Sequence, residues 1–536
     1  MPTGAILRRA GGAAVLAVAA GWGQPAVASR QPEVEAPARQ PGELDRLVSA
    51  MRSLMLSREG PTQNAVLRSL RSLRDPELAP LFATLASGQT PVQRLHGVLG
   101  LAELEGGSLD LLLVRRIERG PERSALLRAA LNEGLLLPAQ VEDVARWTDL
   151  EPSLLLALAS RIHASGRVVP EARARELSLD AGPAGAVIGG LVLTLAGAGQ
   201  EGLSVIERRG PELFVPEQRE ALLAVMDECR RLGVPAGREL AMDALSRITG
   251  DAMARDEAAR LLLSLRPGES IGVQQVSAGL AASGDLGQRI RAALAALEAA
   301  LRHADPAAHP GLRLPAHVGR TMESDAEPLI AAMGASVRAL QAGDERPGLA
   351  AASLARLIET DHLPTQQRLL EVVDAAPPAL RDAVLSAIVA GARAGAPAER
   401  QEITSGAAER LARVNHEALA GVVRGASPEH RAAVAAAAVV GALRAGEAGS
   451  AERCLAAAGG VRDPLCDDLG AIVRAALAVR QKRAPEGGDA DRLTRIAVGE
   501  GNLVAPLRAP AAWLALRAAG RDRAALAKLL GETMPP

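Results

Sequence analysis

The chain has 536 residues, of which 48% are hydrophobic, but its aromatic residues are limited to two Phe and three Trp. Its 61 basic and 62 acidic residues leave a net charge of −1, so it lacks the basic excess with which nucleic-acid binders neutralise phosphates. The shortage of aromatic residues also argues against single-strand binding by base stacking and against sugar binding on aromatic platforms. Ala, Leu and Val dominate the apolar content without a long alternating β-branched run, which predicts an all-α protein.

The first predicted element is an export signal. Arg8 and Arg9 form a basic region, residues 10–20 form an apolar core, and residues 26–28 read Ala-Val-Ala, a small-x-small cleavage pattern. The apolar core is shorter than the roughly 20 residues that a membrane-spanning helix needs. The general secretory route fits better than twin-arginine export, because the residues after Arg9 lack the rest of that motif.

These features predict a signal peptide over 1–28 and a flexible, Pro- and charge-rich linker over 29–42. The first cysteine of the chain is Cys229, so a lipid anchor at the cleavage site is not expected. We therefore expect an exported bacterial protein, periplasmic or extracellular, whose mature chain begins near Ser29.

The next predicted element is a pair of helices within residues 73–104. Asp75 followed by Pro76 is a typical helix start, because the carboxylate accepts from a free backbone N–H and proline fits the first helical position. Thr90 and Gln93 stand at capping-box positions at the start of the second helix. Apolar residues follow at helical spacing in both helices: Leu78, Leu81, Phe82 and Leu85 in the first, then Val92, Leu95, Leu99 and Ala102 in the second.

Two short helices joined by a tight turn cannot bury both apolar faces alone, so this hairpin needs similar hairpins on either side. The rest of the chain supplies helical segments at a period of roughly 30 to 35 residues per pair, which is typical of helical solenoids. Segment 184–199 carries no charge but is too short to span a membrane, so we predict a core helix whose glycines allow close packing. The other predicted helices cover 153–164, 218–231, 239–247, 288–302, 349–358, 366–373, 379–393, 430–444 and 468–481.

A proline followed three residues later by arginine recurs at several of these helix starts. Asp75-Pro-Glu-Leu-Ala-Pro80-Leu followed by Pro91-Val-Gln-Arg94 resembles the HEAT-like repeat of the phycobilisome-lyase type, and Ser427-Pro-Glu-His-Arg431 resembles its second-helix half. The resemblance implies an α-solenoid, a superhelix of stacked antiparallel helical hairpins, and a role as a scaffold or binding surface. A minority of such relatives are lyases, but no catalytic motif carries over residue by residue.

The resemblance also implies that the recurring arginine lies at the seam between repeats. For Arg94, Arg219, Arg381 and Arg431 we expect hydrogen bonds to carbonyls or to an acid of the neighbouring hairpin. Direct contact with a partner is the alternative.

Residues 302–328 contain four prolines and show no helical period, which predicts a loop or hinge between two helical-repeat solenoids over 43–301 and 329–536. His303, His309 and His317 fall in this segment with Asp305 between the first two. Because their spacing fits no known ligand pattern, we predict no metal site. A shorter linker is predicted over 483–491, followed by helices over 493–498, 511–518 and 522–530.

The remaining candidates for chemistry are isolated. Two further pairs, Asp361-His362 and Asn415-His416, lack a placed nucleophile and fit solvent-facing helix ends. No nucleophile elbow, P-loop, zinc-protease or dinucleotide motif occurs in a supporting context. We therefore assign no catalytic, cofactor-binding or metal-binding residue and expect no cofactor.

Three cysteines are too few for a disulfide framework. In an oxidising compartment Cys454 and Cys466 would pair, or both are small core residues. Cys229 is expected to be buried.

The sequence predicts an exported, non-enzymatic HEAT-like repeat protein of the cell envelope that acts as a scaffold for protein–protein interaction. Its partner would be another protein, with no nucleic acid and no membrane span in the mature chain. One alternative is an envelope enzyme or enzyme accessory with a site at the His-bearing segment 302–328. Another is a self-assembling, coat-like protein. The partner's identity and the oligomeric state stay open at this level.

Overall fold

The computed structural model describes residues 42–56, 60–117, 120–180, 182–282, 284–305, 313–342, 347–459, 463–483, 485, 487–500 and 505–533. Over these residues the chain is helical and contains no β-strand, which confirms the predicted all-α class. None of the described helices is both long and apolar enough to cross a membrane. The predicted signal peptide 1–28, and the linker 29–42 except for its last residue, lie outside the described residues.

Most helices begin at a proline, a glycine or a capping side chain, as their sequences predict. Single turns of 3₁₀ helix occur at Pro76–Leu78, Gly210–Leu213, Pro216–Gln218 and Val373–Ala375. The α-helices of the described residues are α1 Glu43–Met55, α2 Gly60–Ser72, α3 Ala79–Ala86, α4 Pro91–Leu104, α5 Leu111–Arg116, α6 Pro121–Asn132, α7 Pro138–Ala145, α8 Pro152–Ala164, α9 Ala172–Asp180, α10 Pro183–Leu195, α11 Gly199–Arg209, α12 Arg219–Leu232, α13 Gly237–Arg247, α14 Ala252–Leu265, α15 Ser270–Leu280, α16 Leu286–Arg302, α17 Ala316–Glu323, α18 Pro328–Ala342, α19 Pro347–Glu359, α20 Leu363–Val372, α21 Pro378–Ala390, α22 Ala398–Val414, α23 His416–Gly425, α24 Arg431–Arg444, α25 Ala448–Ala458, α26 Pro464–Arg480, α27 Gly487–Val498, α28 Ala505–Ala518 and α29 Asp522–Thr533.

The chain divides into two compact units. Unit 1 comprises Met1–Leu104, Arg393–Ser405 and Val423–Pro536, and unit 2 comprises Glu105–Ala392 and Gly406–Val422. Helices from the beginning and from the end of the described chain belong to unit 1, and the division into repeat segments 43–301 and 329–536 stays a prediction.

In unit 1 the first helices pack against the last ones. Helix α1 contacts α27, α28 and α29, and α2 contacts α24 and α28. The indole Nε1–H of Trp513 on α28 donates to Asp75 Oδ2 at 2.7 Å, and Arg517 Nε lies 3.2 Å from the same oxygen. Asp75 also caps its own helix start, since its Oδ1 accepts from the backbone N–H of Glu77 at 3.1 Å. A residue predicted only as a helix cap therefore also binds the far end of the chain.

The predicted hairpin over 73–104 is present in unit 1 as α3 and α4, which pack against each other. The capping box forms in both directions. The Thr90 N–H donates to Gln93 Oε1 at 3.2 Å, and the Gln93 N–H donates to Thr90 Oγ1 at 3.2 Å. The apolar stripe of the first helix is buried. In the second helix Leu99 and Ala102 are buried, whereas Val92 and Leu95 are half-buried.

In unit 2, helices two apart in sequence contact one another along α8, α10, α12, α14, α16 and α18, and most neighbouring helices also pack in pairs. The uncharged segment 184–199 forms α10 and the start of α11, and α10 is a core helix as predicted. A side chain at Gly202 on α11 would place its Cβ 2.4 Å from the Gly190 carbonyl oxygen on α10. These two glycines therefore set the close approach of α10 and α11.

Within its described residues, the predicted irregular segment 302–328 contains one whole helix, α17. Helix α16 ends at Arg302, but residues Ala316–Glu323 are helical and pack against α18 with Val318 and Met322 buried. The sequence pattern missed α17 because two helical turns are too short to show a period. Residues 306–312, including His309, lie outside the described part of the chain.

Candidate functional site

The histidines of segment 302–328 have separate surroundings. His303 follows α16 and its Nε2 lies 2.9 Å from the Ser264 carbonyl oxygen of α14. His317 lies on α17 and is exposed. Over the described residues, no group of three or more His, Cys, Asp or Glu side chains is arranged to hold a metal ion.

The two isolated polar pairs lie at helix starts. His362 precedes α20, where its Nδ1 lies 2.8 Å from Thr365 Oγ1, and burial lowers its pKa. Asn415 precedes α23, where its Oδ1 accepts from the Ala418 N–H at 3.1 Å and its amide donates to Asp382 Oδ2 at 2.8 Å. The Asn415 side chain therefore caps α23, whereas the His362 side chain bonds to the Thr365 hydroxyl group and makes no capping bond to the backbone of α20.

The recurring arginines bond within the chain. Arg94 donates to the carbonyl oxygens of Gly88 at 2.7 Å and Gln89 at 3.0 Å, both in the turn of its own hairpin. Arg431 donates to the carbonyl oxygen of Ala426 in a turn at 3.1 Å. The other two arginines pair with carboxylates, Arg219 with Asp251 at 2.8 Å and Arg381 with Asp382 at 3.2 Å. Of the bonds that the structure describes for these four arginines, only the pair between Arg219 of α12 and Asp251 at the start of α14 joins two hairpins as expected. Arg94 and Arg431 donate to the turns before their own helices, and Arg381 pairs with its chain neighbour Asp382.

All three cysteines are buried free thiols. Cys466 Sγ contacts the Ala432 carbonyl oxygen at 3.8 Å, and no disulfide joins it to Cys454. Burial raises the pKa of Cys454 to about 12 and that of Cys466 to about 11, so both thiols are protonated and poor nucleophiles at neutral pH.

A buried histidine that the sequence did not single out lies in unit 1. His96 on α4 accepts at Nδ1 from Arg71 Nη1 at 3.3 Å, which leaves Nε2–H to donate to Asn64 Oδ1 at 2.8 Å. Arg71 also binds Glu103 through two bonds of 3.1 and 2.8 Å. Burial and the nearby Arg71 lower the pKa of His96 to about 3, so the ring is neutral and serves packing.

The densest constellation of charged groups in unit 2 surrounds Glu298 on α16, a residue only 2% exposed. Its carboxylate accepts from Arg260 Nε at 2.7 Å and Arg302 Nε at 3.3 Å, and it also accepts from Arg230. Arg368 Nε approaches it to 3.7 Å. We define the Glu298 cluster as Asp227, Arg230, Glu257, Arg260, Glu298, Arg302, Arg368 and Glu371.

Four helices each contribute one acid–base pair to this cluster, at a spacing of three or four residues. The pairs are Asp227/Arg230 on α12, Glu257/Arg260 on α14, Glu298/Arg302 on α16 and Arg368/Glu371 on α20. Helices α12, α14, α16 and α20 contact one another in that order, so the pairs meet. The sequence signal was therefore present, but a single such pair is usually a solvated surface pair.

The electrostatics of the cluster fix its protonation. Burial alone would raise the pKa of Glu298, but the guanidinium groups of Arg260, Arg230 and Arg302 hold it below its usual range. Burial outweighs the arginines at Glu371 and raises its pKa. Since four arginines face four carboxylates, the cluster is close to neutral when all groups are ionised.

The inside and the rim of the cluster differ in exposure. Glu298 and Arg230 are buried, whereas the side chains of Asp227 and Glu371 are 49% and 45% exposed. Beside the cluster on α12, Glu228 follows Asp227 in the chain and binds Arg128 of α6 at 3.0 Å, and Arg128 also donates to Ser153 of α8 at 2.7 Å. The cluster consists only of Arg, Asp and Glu side chains and holds no activated nucleophile. Its half-exposed carboxylates form a charged rim above buried ion pairs.

Comparisons of the chain with protein-family models, with curated proteins and with solved structures give no match.

Proposed function

We propose that this chain is an exported, non-enzymatic helical-repeat protein, a HEAT-like α-solenoid that serves as a scaffold for another protein. The Glu298 cluster carries the proposal, because four helices from successive parts of unit 2 contribute to one side-chain layer. Contacts between helices two apart in sequence support stacked hairpins. The capping and packing of the hairpin over 73–104 support the resemblance to a HEAT-like repeat.

A layer built from four helices provides a broad surface, which suits a protein partner better than a small molecule. Buried ion pairs join the helices beneath this surface, so the scaffold loses little conformational freedom when it binds a partner. The half-exposed rim carboxylates of Asp227 and Glu371 would orient a partner and exclude others of unfavourable charge. We therefore place the partner-binding surface at the rim of the Glu298 cluster.

The export part of the proposal rests on residues 1–28. Cell fractionation tests it directly: the expected result is a processed chain in the envelope or the medium. Recovery of the full-length precursor in the cytoplasm would contradict it.

The binding part is tested by cross-linking and quantitative capture from the envelope fraction with the mature chain. Reversal of the rim charges, Asp227→Lys with Glu371→Lys, should abolish capture of the partner. The matched control is Glu323→Lys, which reverses a carboxylate of unit 2 outside the cluster whose side chain is 42% exposed. Unchanged capture by the rim variant, or equal loss in the control, would refute this surface.

A further inference from the structure

Unit 1 contains an open groove of about 810 Å³ that the proposed function does not use. Helix α1 forms one side of the groove, and residues from α27, α28 and α29 form the other. Its charged lining residues are Arg46, Arg52, Arg508, Lys528 and Asp45. Among the described lining residues, four basic side chains stand against one acidic side chain, so this part of the lining is basic although the whole chain has a net charge of only −1.

The basic side chains of the groove differ in how far a partner within the chain compensates their positive charge. Lys528 binds Asp45, whose pKa is lowered by this hydrogen bond. Arg508 donates to the carbonyl oxygen of Ala497 at 3.2 Å, a neutral partner that leaves its positive charge uncompensated. Arg46 is exposed and makes no side-chain hydrogen bond or ion pair with any residue that the structure describes. Arg46 and Arg508 thus offer positive charge to a ligand.

The lining favours carboxylates over nucleic acid. Guanidinium groups match carboxylates with paired N–H donors, and the hydroxyl groups of Ser49 and Ser53 add further hydrogen-bonding positions along α1. None of the described residues that line the groove is aromatic, so these residues offer no stacking platform of the kind that single-stranded nucleic acids use. The α1 residues from Asp45 to Leu54 extend for roughly 14 Å at the rise of an α-helix, a length that about four residues of extended peptide cover.

We propose that this groove binds a short acidic segment of a partner protein. All of its residues belong to unit 1, whereas the Glu298 cluster belongs to unit 2. The inference therefore goes beyond the proposed function and does not depend on it.

The test is fluorescence anisotropy of the mature chain with a fluorescein-labelled peptide of alternating Glu and Ala. The expected result is saturable binding that weakens as salt is raised. Arg46→Glu should weaken binding about fivefold, and Arg46→Glu with Arg508→Glu at least about tenfold, because attractive charges become repulsive. The control is Arg424→Glu, an exposed arginine of unit 1 on α23 outside the groove, which should leave the affinity within about twofold of wild type.

Thermal unfolding of each variant checks its fold, and the single variant at exposed Arg46 suffices if the double variant does not fold. Equal affinity in wild type and Arg46→Glu, or an equal loss in Arg424→Glu, would overturn the proposal. Tighter binding of an oligodeoxynucleotide of equal charge would also overturn it. Residues 29–41 contain Glu33 and Glu35. If their deletion makes the peptide bind more tightly, this segment of the chain itself occupies the groove, and the proposal of a partner protein is wrong.

Discussion

Replacement of Glu298 by Gln tests the Glu298 cluster most directly, because it preserves the shape of the side chain and removes its charge. Arg260 Nε at 2.7 Å and Arg230 lose a charged acceptor, and each such bond is worth about 1.5–3 kcal/mol. The amide oxygen still accepts one bond. We expect a loss of about 3–5 kcal/mol in unfolding free energy, the range found when one partner of a buried ion pair is removed.

A chain with two compact units need not unfold in one step, so the assay is hydrogen exchange followed by mass spectrometry. The opening free energy should fall in α12, α14, α16 and α20. The control is Glu323→Gln: Glu323 pairs with Arg338, and their side chains are 42% and 52% exposed, so its effect should stay below about 1 kcal/mol.

The pH dependence of wild type and variant should also differ. The pKa of Glu298 is lowered in the folded state, so its carboxylate stabilises the fold above the unfolded pKa of about 4.3. That contribution is lost as the pH falls through the folded pKa, and Glu298→Gln lacks this dependence. If exchange in Glu298→Gln changes no more than in Glu323→Gln, the arginines do not depend on the Glu298 carboxylate and the reasoning fails.

Three further predictions concern unit 1 and the helix contacts of unit 2. The pKa of His96 is about 3 in the folded state and about 6.5 in the unfolded state, so its contribution to stability is complete above pH 6.5. About 2 kcal/mol of unfolding free energy should be lost by pH 5. His96→Gln should remove this pH-dependent loss, measured by hydrogen exchange of α2 and α4. Asp75→Ala should lower the opening free energy of α2, α3 and α28 in hydrogen exchange by about 3–5 kcal/mol, because a buried carboxylate with indole and guanidinium partners is removed. Asp110→Ala removes only an exposed helix cap and should cost about 0.5–2 kcal/mol in α5. Gly202→Ala should destabilise α10 and α11 by about 1–3 kcal/mol through overlap with a backbone oxygen. Gly421→Ala, with open space around its added methyl group, should stabilise α23 by up to about 1 kcal/mol, and hydrogen exchange of these helices measures both effects.

Each of these predictions has a result that contradicts it. If the opening free energies of α2 and α4 still depend on pH in His96→Gln, the histidine is not the cause of that dependence. If Asp75→Ala and Asp110→Ala lose the same free energy, the bond between Asp75 and Trp513 adds no stability beyond that of a helix cap. Destabilisation by Gly421→Ala equal to that by Gly202→Ala would mean that the contact between α10 and α11 does not limit side-chain size.

The sequence predicted local elements well where short-range chemistry decides them. The capping box at Thr90 and Gln93 needs only neighbouring residues, and the helix over 153–164 is α8 with a shift of one residue at its start. The prediction was less accurate where a distant contact extends a helix. Residues 487–491 were predicted as linker but begin α27, where Asp489 binds Arg474 of α26 through bonds of 3.0 and 2.6 Å.

The candidate sites could not be predicted because they depend on which helices meet. The sequence drew attention to His303, His309 and His317 by their proximity along the chain. The structure instead brings together Glu298 and Arg230, which are 68 residues apart. An acid–base pair at helical spacing looks the same in sequence whether it faces water or three other helices.

The sequence by itself determined the all-α class seen over the described residues, the starts of many helices, and the core position of the uncharged segment. These properties follow from backbone propensity, capping and the period of apolar residues, which act over a few residues. Only the tertiary structure decided that Asp75 binds Trp513 and that four acid–base pairs surround one buried carboxylate. Burial and ion pairing depend on distance in space, and the sequence does not state that distance.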